Sequence, residues 1–384
     1  DDLSTPLGTW QSDKIKLVQK LRFSDTNNDI VFVCGGPRPI DLFLKSYLFA
    51  LQISGSNVTA IDTTIVNGLP VLAHANVMNL DMRRDTVFVA TGCAIDLNMG
   101  IPLSYVPVFD ANPLPSNPMD MIGYINPGLW HFDVALMEGT PYLATSSEWL
   151  GVAINNISDL VPLDTLMMIE TGGWSQSCKI KGDTLWVAHE GWGIAAYHMD
   201  SLYYSSGFMS QSMMIHLYSQ QNHYFVPDFE FVHDSLLILA SGHVFNLKPW
   251  WKGGKPDSIY SINMQFAHSV QKVNTNLGMR LITGSEIPLF GFGAKNMELF
   301  DPLIPNCEKL DEVPINNSPN AIAVQDDMVF FGIKYDSIGN DYYVGAAEVK
   351  NEGFNILDTI LLTNGLGEIG SIDIENELVV IART

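Results

Sequence analysis

Tryptophans, histidines and acidic residues in short loops are the residues of this 384-residue chain best suited to binding chemistry. Trp149 follows Glu148, and Trp192 lies two residues after Glu190. An exposed indole ring beside a carboxylate can stack on a sugar or anchor a protein partner. The alternative is that both rings pack in the core, as large aromatic side chains commonly do.

His189, Glu190 and His243 form the set that could converge on a metal ion. A metal site needs three or four ligands in close geometry, and the sequence shows only isolated candidates. Histidines at strand ends are more often hydrogen-bonded surface residues. We therefore predict neither a metal nor a cofactor.

Residues 248–256 (KPWWKGGKP) have the most unusual composition, because they concentrate tryptophan and lysine in a strongly acidic chain. Adjacent tryptophans in a loop rich in proline and glycine are costly to expose and often mark contact sites. Trp250, Trp251 and Lys252 are accordingly predicted to bind a partner. The alternative is that one tryptophan covers a sheet edge while the lysines keep that edge soluble.

The sequence argues against several classes of function. It contains no GxSxG, HExxH or P-loop motif, so no catalytic residues are predicted and the protein is predicted not to be an enzyme. The 42 acidic and 20 basic residues give a net charge of −22, which opposes nucleic-acid binding. No apolar run approaches the roughly 18 residues of a membrane-spanning helix.

Eight similar segments, roughly 50 residues apart, run through the chain, and this spacing is typical of four-stranded propeller blades. Each has a turn residue, a β-rich apolar run and a small or polar break. The segments are residues 29–36 (DIVFVCGG), 85–92 (DTVFVATG), 139–145 (GTPYLAT), 183–189 (DTLWVAH), 234–242 (DSLLILASG), 278–284 (GMRLITG), 327–332 (DMVFFG) and 376–382 (NELVVIA).

We therefore predict an all-β protein with a single β-propeller of seven four-stranded blades, eight being the alternative. The last segment leaves room for only two strands, and an open edge invites aggregation. Strands within about residues 12–53 are expected to pair with that blade and close the ring. Residues 94–97 (AIDL) and 103–109 (LSYVPVF) are expected to be the third and fourth strands of one blade. Residues 1–11 are expected to be a tether, and residues 12–384 the propeller.

The break after each repeat should lie on one face of the ring, where loops carry binding and strands carry packing. Because Tyr335 lies at the break after a repeat, it is also predicted to bind the partner. The residues expected on this face are Arg38, Cys93, Glu148, Trp149, His189, Glu190, Trp192, His243, Glu286, Tyr335 and Asp336.

The repeat unit resembles the LVIVD-repeat propellers, most closely at residues 38–43 (RPIDLF) and 93–98 (CAIDLN). Other copies depart from that pattern, as at residues 152–155 (VAIN) and 244–247 (VFNL). Those propellers occur in bacterial surface and envelope proteins, including lipoproteins of Bacteroidetes. The resemblance implies an outer-membrane-associated protein, on the periplasmic side or the cell surface, with a lipid anchor preceding Asp1. It supplies no catalytic residues.

These observations predict a non-enzymatic scaffold or accessory subunit of an envelope complex, with another envelope protein as its partner. One alternative is a carbohydrate-binding or glycan-processing surface protein that uses Trp149 and Trp192. Another is a hydrolase or lyase with a site lining the channel.

The cysteines form no CxxC pair and fit buried thiols or two long-range disulfides equally well; they are Cys34, Cys93, Cys178 and Cys307.

Overall fold

The structure is a computed structural model. It describes residues 7–15, 17–36, 46–66, 77–91, 94–96, 101–103, 106–125, 129–136, 142–148, 151–157, 164–169, 175–182, 184–189, 193–198, 228–240, 242–254, 256–261, 267–275, 278–285, 296–302, 308–315, 321–335, 341–350, 352–362, 369–375 and 378–383.

The chain divides into two compact units. The N-terminal unit comprises residues 7–224, and the C-terminal unit comprises residues 1–6 and 225–384. Each consists of consecutive antiparallel sheets in which strands close in sequence pair. The all-β prediction is confirmed.

The N-terminal unit contains seventeen described strands in four main sheets and one small hairpin. The first sheet has β1 (Leu17–Phe23), β2 (Ile30–Gly36), β3 (Tyr47–Ser54) and β4 (Asn57–Ile65). The second has β5 (Val77–Arg83), β6 (Thr86–Thr91), β9 (Val106–Asp110) and β10 (Asp120–Ile125), with β7 (Ala94–Asp96) and β8 (Ile101–Leu103) as the hairpin. The third has β11 (Leu129–Leu136), β12 (Tyr142–Glu148), β13 (Gly151–Asn156) and β14 (Asp164–Ile169); the fourth has β15 (Ser175–Lys181), β16 (Thr184–His189) and β17 (Gly193–His198).

The C-terminal unit contains fourteen described strands in four sheets. The fifth sheet has β18 (Phe229–Val232), β19 (Leu236–Leu239), β20 (His243–Asn246) and β21 (Asp257–Ser261); the sixth has β22 (Ala267–Thr275), β23 (Gly278–Ser285), β24 (Asn296–Asp301) and β25 (Glu308–Pro314). The seventh has β26 (Ile322–Gln325), β27 (Met328–Tyr335), β28 (Asp341–Val349) and β29 (Phe354–Leu362). The last has β30 (Ile369–Glu375) and β31 (Leu378–Arg383).

Each of the eight repeats contains or overlaps the second strand of a sheet, because its run of β-branched and aromatic residues suits a strand with two buried faces. Their side chains form apolar clusters between consecutive sheets. Phe32 of β2 and Val87 of β6 share one such cluster, and Ile282 of β23 and Val329 of β27 share another. The core is therefore distributed between the sheets within each unit.

The prediction of seven four-stranded blades is wrong. Six of the sheets have four strands, and residues 17–65 form a complete sheet of their own, β1 to β4. In the described parts of the chain, β31 pairs with β30 and with no N-terminal strand. The error came from treating the first repeat as the outer half of the last sheet.

The expected third strand of the second sheet is also wrong. Ala94–Asp96 pairs with Ile101–Leu103 in the small hairpin, and Val106–Asp110 is the strand that pairs with β6. The fourth strand is then Asp120–Ile125. Because the small hairpin of β7 and β8 is inserted after β6, the third and fourth strands of the sheet each lie one strand later in the sequence than expected.

A β-bulge recurs where the third and fourth strands pair in all six four-stranded sheets. One apolar residue of the fourth strand is left without a partner opposite, which bends that strand and increases its twist. The bulged residues are Ile61, Ile122, Leu166, Ile259, Leu310 and Leu357.

Within the described residues, no helix is long and apolar enough to cross a membrane.

Candidate functional site

The loop after β20 forms a compact turn, residues 247–254, which we call the Trp251 turn. Pro249 has φ −63°, which suits the start of the short 3-10 helix Trp250–Lys252. Gly253 has φ 78°, a left-handed conformation that favours glycine. The amides of Gly253 and Gly254 donate to the carbonyls of Trp250 and Pro249 at 2.9 and 2.8 Å. The proline and glycines noted in the sequence thus set the shape of the turn.

The two adjacent tryptophans of this turn have different environments. Trp250 is 6% exposed, so its ring is buried in the fold. Trp251 is 38% exposed, and its indole Nε1 donates to the Asp234 carbonyl oxygen at 2.6 Å. The Asp234 carbonyl belongs to the turn between β18 and β19, so this bond fixes the half-exposed ring against a neighbouring turn. Of the predicted pair, Trp251 is the residue that can touch a partner directly.

Lysines give the Trp251 turn a positive charge. Lys248 and Lys252 are exposed, and neither forms an ion pair with a described carboxylate. The Lys248 amide donates to the Asn246 Oδ1 at 3.1 Å, which fixes the backbone and leaves the ammonium group in solvent. A cationic turn on a chain of net charge −22 attracts acidic or aromatic groups of a partner.

His243 lies at the other end of the same strand. It is the first residue of β20 and is half-buried, while the Trp251 turn follows the last residue of β20. The structure therefore does not bring His243 to Trp251 and Lys252. His189 ends β16 and Tyr335 ends β27, which are the strand-end positions that the repeat pattern predicted.

The remaining predicted contact residues, Trp149, Glu190 and Trp192, lie outside the described residues. No group of three or more histidine, cysteine, aspartate or glutamate side chains within the described residues could hold a metal ion.

Two aspartates that follow bulged residues connect neighbouring sheets, a feature that sequence reasoning missed. Asp62 follows Ile61 in β4; its Oδ1 accepts the Thr63 amide at 2.6 Å and its Oδ2 accepts the Met119 amide, just before β10, at 2.7 Å. Asp311 follows Leu310 in β25 and repeats this arrangement, because it accepts the Glu312 amide and the Phe354 amide of β29, both at 2.8 Å. Each carboxylate thus joins its own fourth strand to the next sheet.

Asp358 occupies the same position in β29, directly after the bulged Leu357. Its Oδ1 accepts the Thr359 amide at 2.7 Å, as in the other two sites, but the carboxylate is exposed and makes no bond to a neighbouring sheet among the described residues. Leu357 is 52% exposed, whereas Ile61 and Leu310 pack against core clusters. The sequence signal is an aliphatic residue followed by aspartate in a fourth strand, which becomes recognisable only when the register is known.

No protein-family model and no curated protein matches this chain. Several solved structures, in contrast, are similar to this chain. Sqt1 from Chaetomium thermophilum, bound to the N-terminus of the ribosomal protein L10, is similar with a TM-score of 0.63 at 12% identity, covering 96% of this chain and 95% of that one.

Two further solved structures have similar folds. The periplasmic gluconolactonase PpgL of Pseudomonas aeruginosa has a TM-score of 0.56 at 12% identity, covering 81% of this chain and 91% of that one. The β-propeller domain of Cps50 (Swd1) from Myceliophteria thermophila has a TM-score of 0.50 at 10% identity, covering 95% of this chain and 91% of that one. These proteins include an enzyme and a protein solved with a bound partner segment, and at such identities the likeness concerns the fold alone. The chain has the β-propeller fold.

Proposed function

We propose that this β-propeller is a non-enzymatic scaffold that binds another protein through the Trp251 turn. The observation that supports the proposal is the half-exposed Trp251 ring, fixed by its bond to Asp234 and placed between Lys248 and Lys252, which pair with no described carboxylate. Rigid, partly exposed aromatic rings contribute disproportionately to protein interfaces because they bury area at a low cost in conformational entropy. His189, Glu190, Trp192, Trp149, His243 and Tyr335 belong to the proposed second contact face.

The similarity to Sqt1 supports a protein as the partner. In that structure a similar fold is bound to the N-terminus of another protein. For the present chain we propose an envelope protein, in keeping with the resemblance to the LVIVD-repeat propellers. A lipid anchor preceding Asp1 and an outer-membrane location belong to the same proposal, and fractionation of cells of the source bacterium with an antibody to the protein tests both.

The test of the scaffold role is affinity purification of the cross-linked native protein from its own cells, followed by mass spectrometry. We expect a stoichiometric partner that is lost from the Trp251→Ala/Lys252→Ala double variant. Trp250 is left unchanged because truncating a buried ring would destabilise the fold. Tyr124→Ala is the matched control, since Tyr124 of β10 is an exposed aromatic residue (43%) in the other unit.

Recovery of the same partner from the double variant would overturn the role of the turn. Recovery of the wild-type protein alone would overturn the scaffold proposal. A glycan array and an assay for lactone or glycoside hydrolysis then become the next measurements, for the two alternative functions.

A further inference from the structure

We propose that the side of the first sheet around Phe49 is a peptide-binding groove. In this structure it holds the chain's own residues 8–14, and it accepts in their place an extended segment of a second protein that carries a tryptophan and basic residues. We call Tyr47, Phe49, Ser56 and Val58 the Phe49 groove, and residues 8–14 the Trp10 segment. The proposal goes beyond the scaffold function, because the groove shares no residue with the Trp251 turn and is argued from different contacts.

The groove lies on the side of the first sheet that faces away from the second sheet. Leu48 and Ala50 of β3 belong to the apolar cluster that the first two sheets share. Successive residues of a strand point to opposite sides of its sheet, so Phe49 faces the other way. Phe49 is nevertheless only 2% exposed. Part of its cover is the Trp10 ring, which meets it edge to face with the ring centroids 4.8 Å apart.

Two further contacts fix the positions on either side of this ring pair. A Cβ atom added at Gly8 would lie 2.4 Å from the Ser56 carbonyl oxygen and 2.9 Å from a Val58 methyl group, so this position needs a glycine. The Lys14 ammonium nitrogen lies 5.5 Å from the centre of the Tyr47 ring, within the range of a cation–π contact. The groove therefore selects a glycine, a tryptophan two residues later and a cation four residues after the tryptophan.

The Trp10 segment is held by side chains and not by a backbone ladder. No backbone hydrogen bond joins residues 7–15 to another residue in the described part of the chain. The Lys14 amide donates to the Ser12 Oγ at 3.1 Å, which is a bond within the segment itself. Segments with so few backbone hydrogen bonds to the rest of a protein open at a low cost in free energy. The groove can thus be vacated while the first sheet stays intact.

Charge selects the foreign occupant. In the Trp10 segment Asp13 precedes Lys14, so the resident ligand brings no net charge to the groove. The chain carries a net charge of −22, which attracts a segment with lysine or arginine at both of these positions. The same segment from a second copy would have no such advantage and would bring another −22 to the contact. We therefore assign the groove to a foreign segment with a glycine, a tryptophan and adjacent basic residues.

The test uses a fluorescent peptide of residues 7–15 (LGTWQSDKI) that carries Asp13→Lys, titrated against the full chain by fluorescence anisotropy. In the protein, Trp10→Ala removes the resident ring and raises the fraction of molecules with an open groove. Because apparent affinity scales with that fraction, the peptide should bind this variant about tenfold or more tightly than the wild type. Leu7→Ala is the matched control, since Leu7 is 68% exposed, and it should behave as the wild type.

A second pair of variants locates the contact. Gly8→Ala in the protein opens the groove by a different route, since the added methyl group meets the Ser56 carbonyl, and should also strengthen peptide binding. Tyr47→Leu, added to Trp10→Ala, should weaken binding by about threefold or more, the effect of a lost cation–π contact. Circular dichroism checks that each variant is folded. A peptide that also carries Trp10→Ala should bind none of them.

Several results would overturn the proposal. They are equal peptide affinity of the wild type, Trp10→Ala and Gly8→Ala chains, absence of binding to all three, and binding that does not need the peptide tryptophan. Equal affinity for peptides with and without Asp13→Lys would overturn the assignment to a basic partner. The Trp251→Ala/Lys252→Ala variant should bind the peptide as the wild type does, so failure here and failure of the scaffold function are separable.

Discussion

At the scale of single residues, the Cys34 thiol shows what burial does to reactivity. Cys34 is fully buried in β2, and desolvation raises its pKa from 9.0 to about 12. Desolvation of the thiolate outweighs the opposing effects of the Lys20 charge and of backbone hydrogen bonds, so the protonated form is strongly favoured. Cys34 and Cys178 are both buried and neither forms a disulfide, so the alternative of two long-range disulfides among the four cysteines does not hold.

We predict that Cys34 resists alkylation in the folded protein. At pH 8 a thiol of pKa about 12 is ionised in roughly one molecule in ten thousand, and access is blocked as well. Iodoacetamide treatment followed by peptide mass spectrometry should show Cys34 unmodified in buffer and fully modified in guanidinium chloride. Rapid labelling of Cys34 in buffer, with the circular dichroism spectrum unchanged, would contradict the buried environment.

Burial also decides which of the two adjacent tryptophans, Trp250 or Trp251, can bind a partner. The composition of residues 248–256 predicts a contact site, and both rings were included in it. The structure buries Trp250 and leaves Trp251 partly exposed. Two neighbouring residues of one type therefore differ in role because the short 3-10 helix points their side chains in different directions.

At the scale of strands, cross-strand pairing of Phe331 and Gly345 determines the local packing of the seventh sheet. The two residues are directly opposite in β27 and β28. A Cβ atom added at Gly345 would lie 2.6 Å from Cζ of Phe331. The ring therefore lies over the glycine, and the glycine is required for close approach and not for a special backbone angle.

We predict that Gly345→Ala lowers the free energy of unfolding by about 1–3 kcal/mol, because the buried Phe331 ring must move into an already packed core. Urea unfolding followed by tryptophan fluorescence measures this change. The double variant Gly345→Ala/Phe331→Leu should recover part of the loss relative to Phe331→Leu alone. Gly55→Ala is the control. Gly55 has a positive φ and an added Cβ there meets nothing within 4 Å, so any loss of stability in that variant comes from the backbone and not from crowding.

The fourth-strand bulges show why some strand features cannot be seen in the sequence. Ile61, Leu310 and Leu357 are ordinary aliphatic residues in ordinary β-strand sequences. A bulge is a property of two strands in register, so it depends on the partner strand as much as on the bulged residue. The aspartates that follow Ile61 and Leu310 could not be identified as links between sheets before the register was known.

At the scale of the whole molecule, electrostatic repulsion is the dominant long-range term. Ion pairs exist, and an exposed one such as Lys309 with Glu312 contributes about 0–1 kcal/mol. The net charge of −22 acts on all parts of the chain at once and opposes the compact state.

We predict that added salt raises the thermal midpoint of unfolding. Increasing NaCl from about 20 to about 200 mM shortens the screening length to below roughly 10 Å, which reduces self-repulsion more than it weakens local ion pairs. Differential scanning fluorimetry measures the midpoint, with an equal osmolality of sucrose as the control for solvent exclusion. A midpoint that falls with salt would mean that local ion pairs outweigh the net charge.

The sequence by itself determined that the protein is built from repeated β-strands. Each repeat contained or overlapped a second strand. The reason is physical: apolar runs, β-branched residues and turn residues act over a few positions, and antiparallel sheets of neighbouring strands need little more. The prediction that the chain does not bind nucleic acid rests on charge alone and stays a prediction.

Tertiary structure decided the properties that depend on residues far apart in sequence. It showed that residues 17–65 form their own sheet, that Val106–Asp110 replaces Ala94–Asp96 as a third strand, and that Trp250 is buried. It also distinguished Leu357 from Ile61 and Leu310, three residues of similar local sequence. Exposure is set by what packs against a side chain, and the amides of the next sheet that Asp62 and Asp311 accept come from positions 57 and 43 residues further along the chain. No local pattern carries that information.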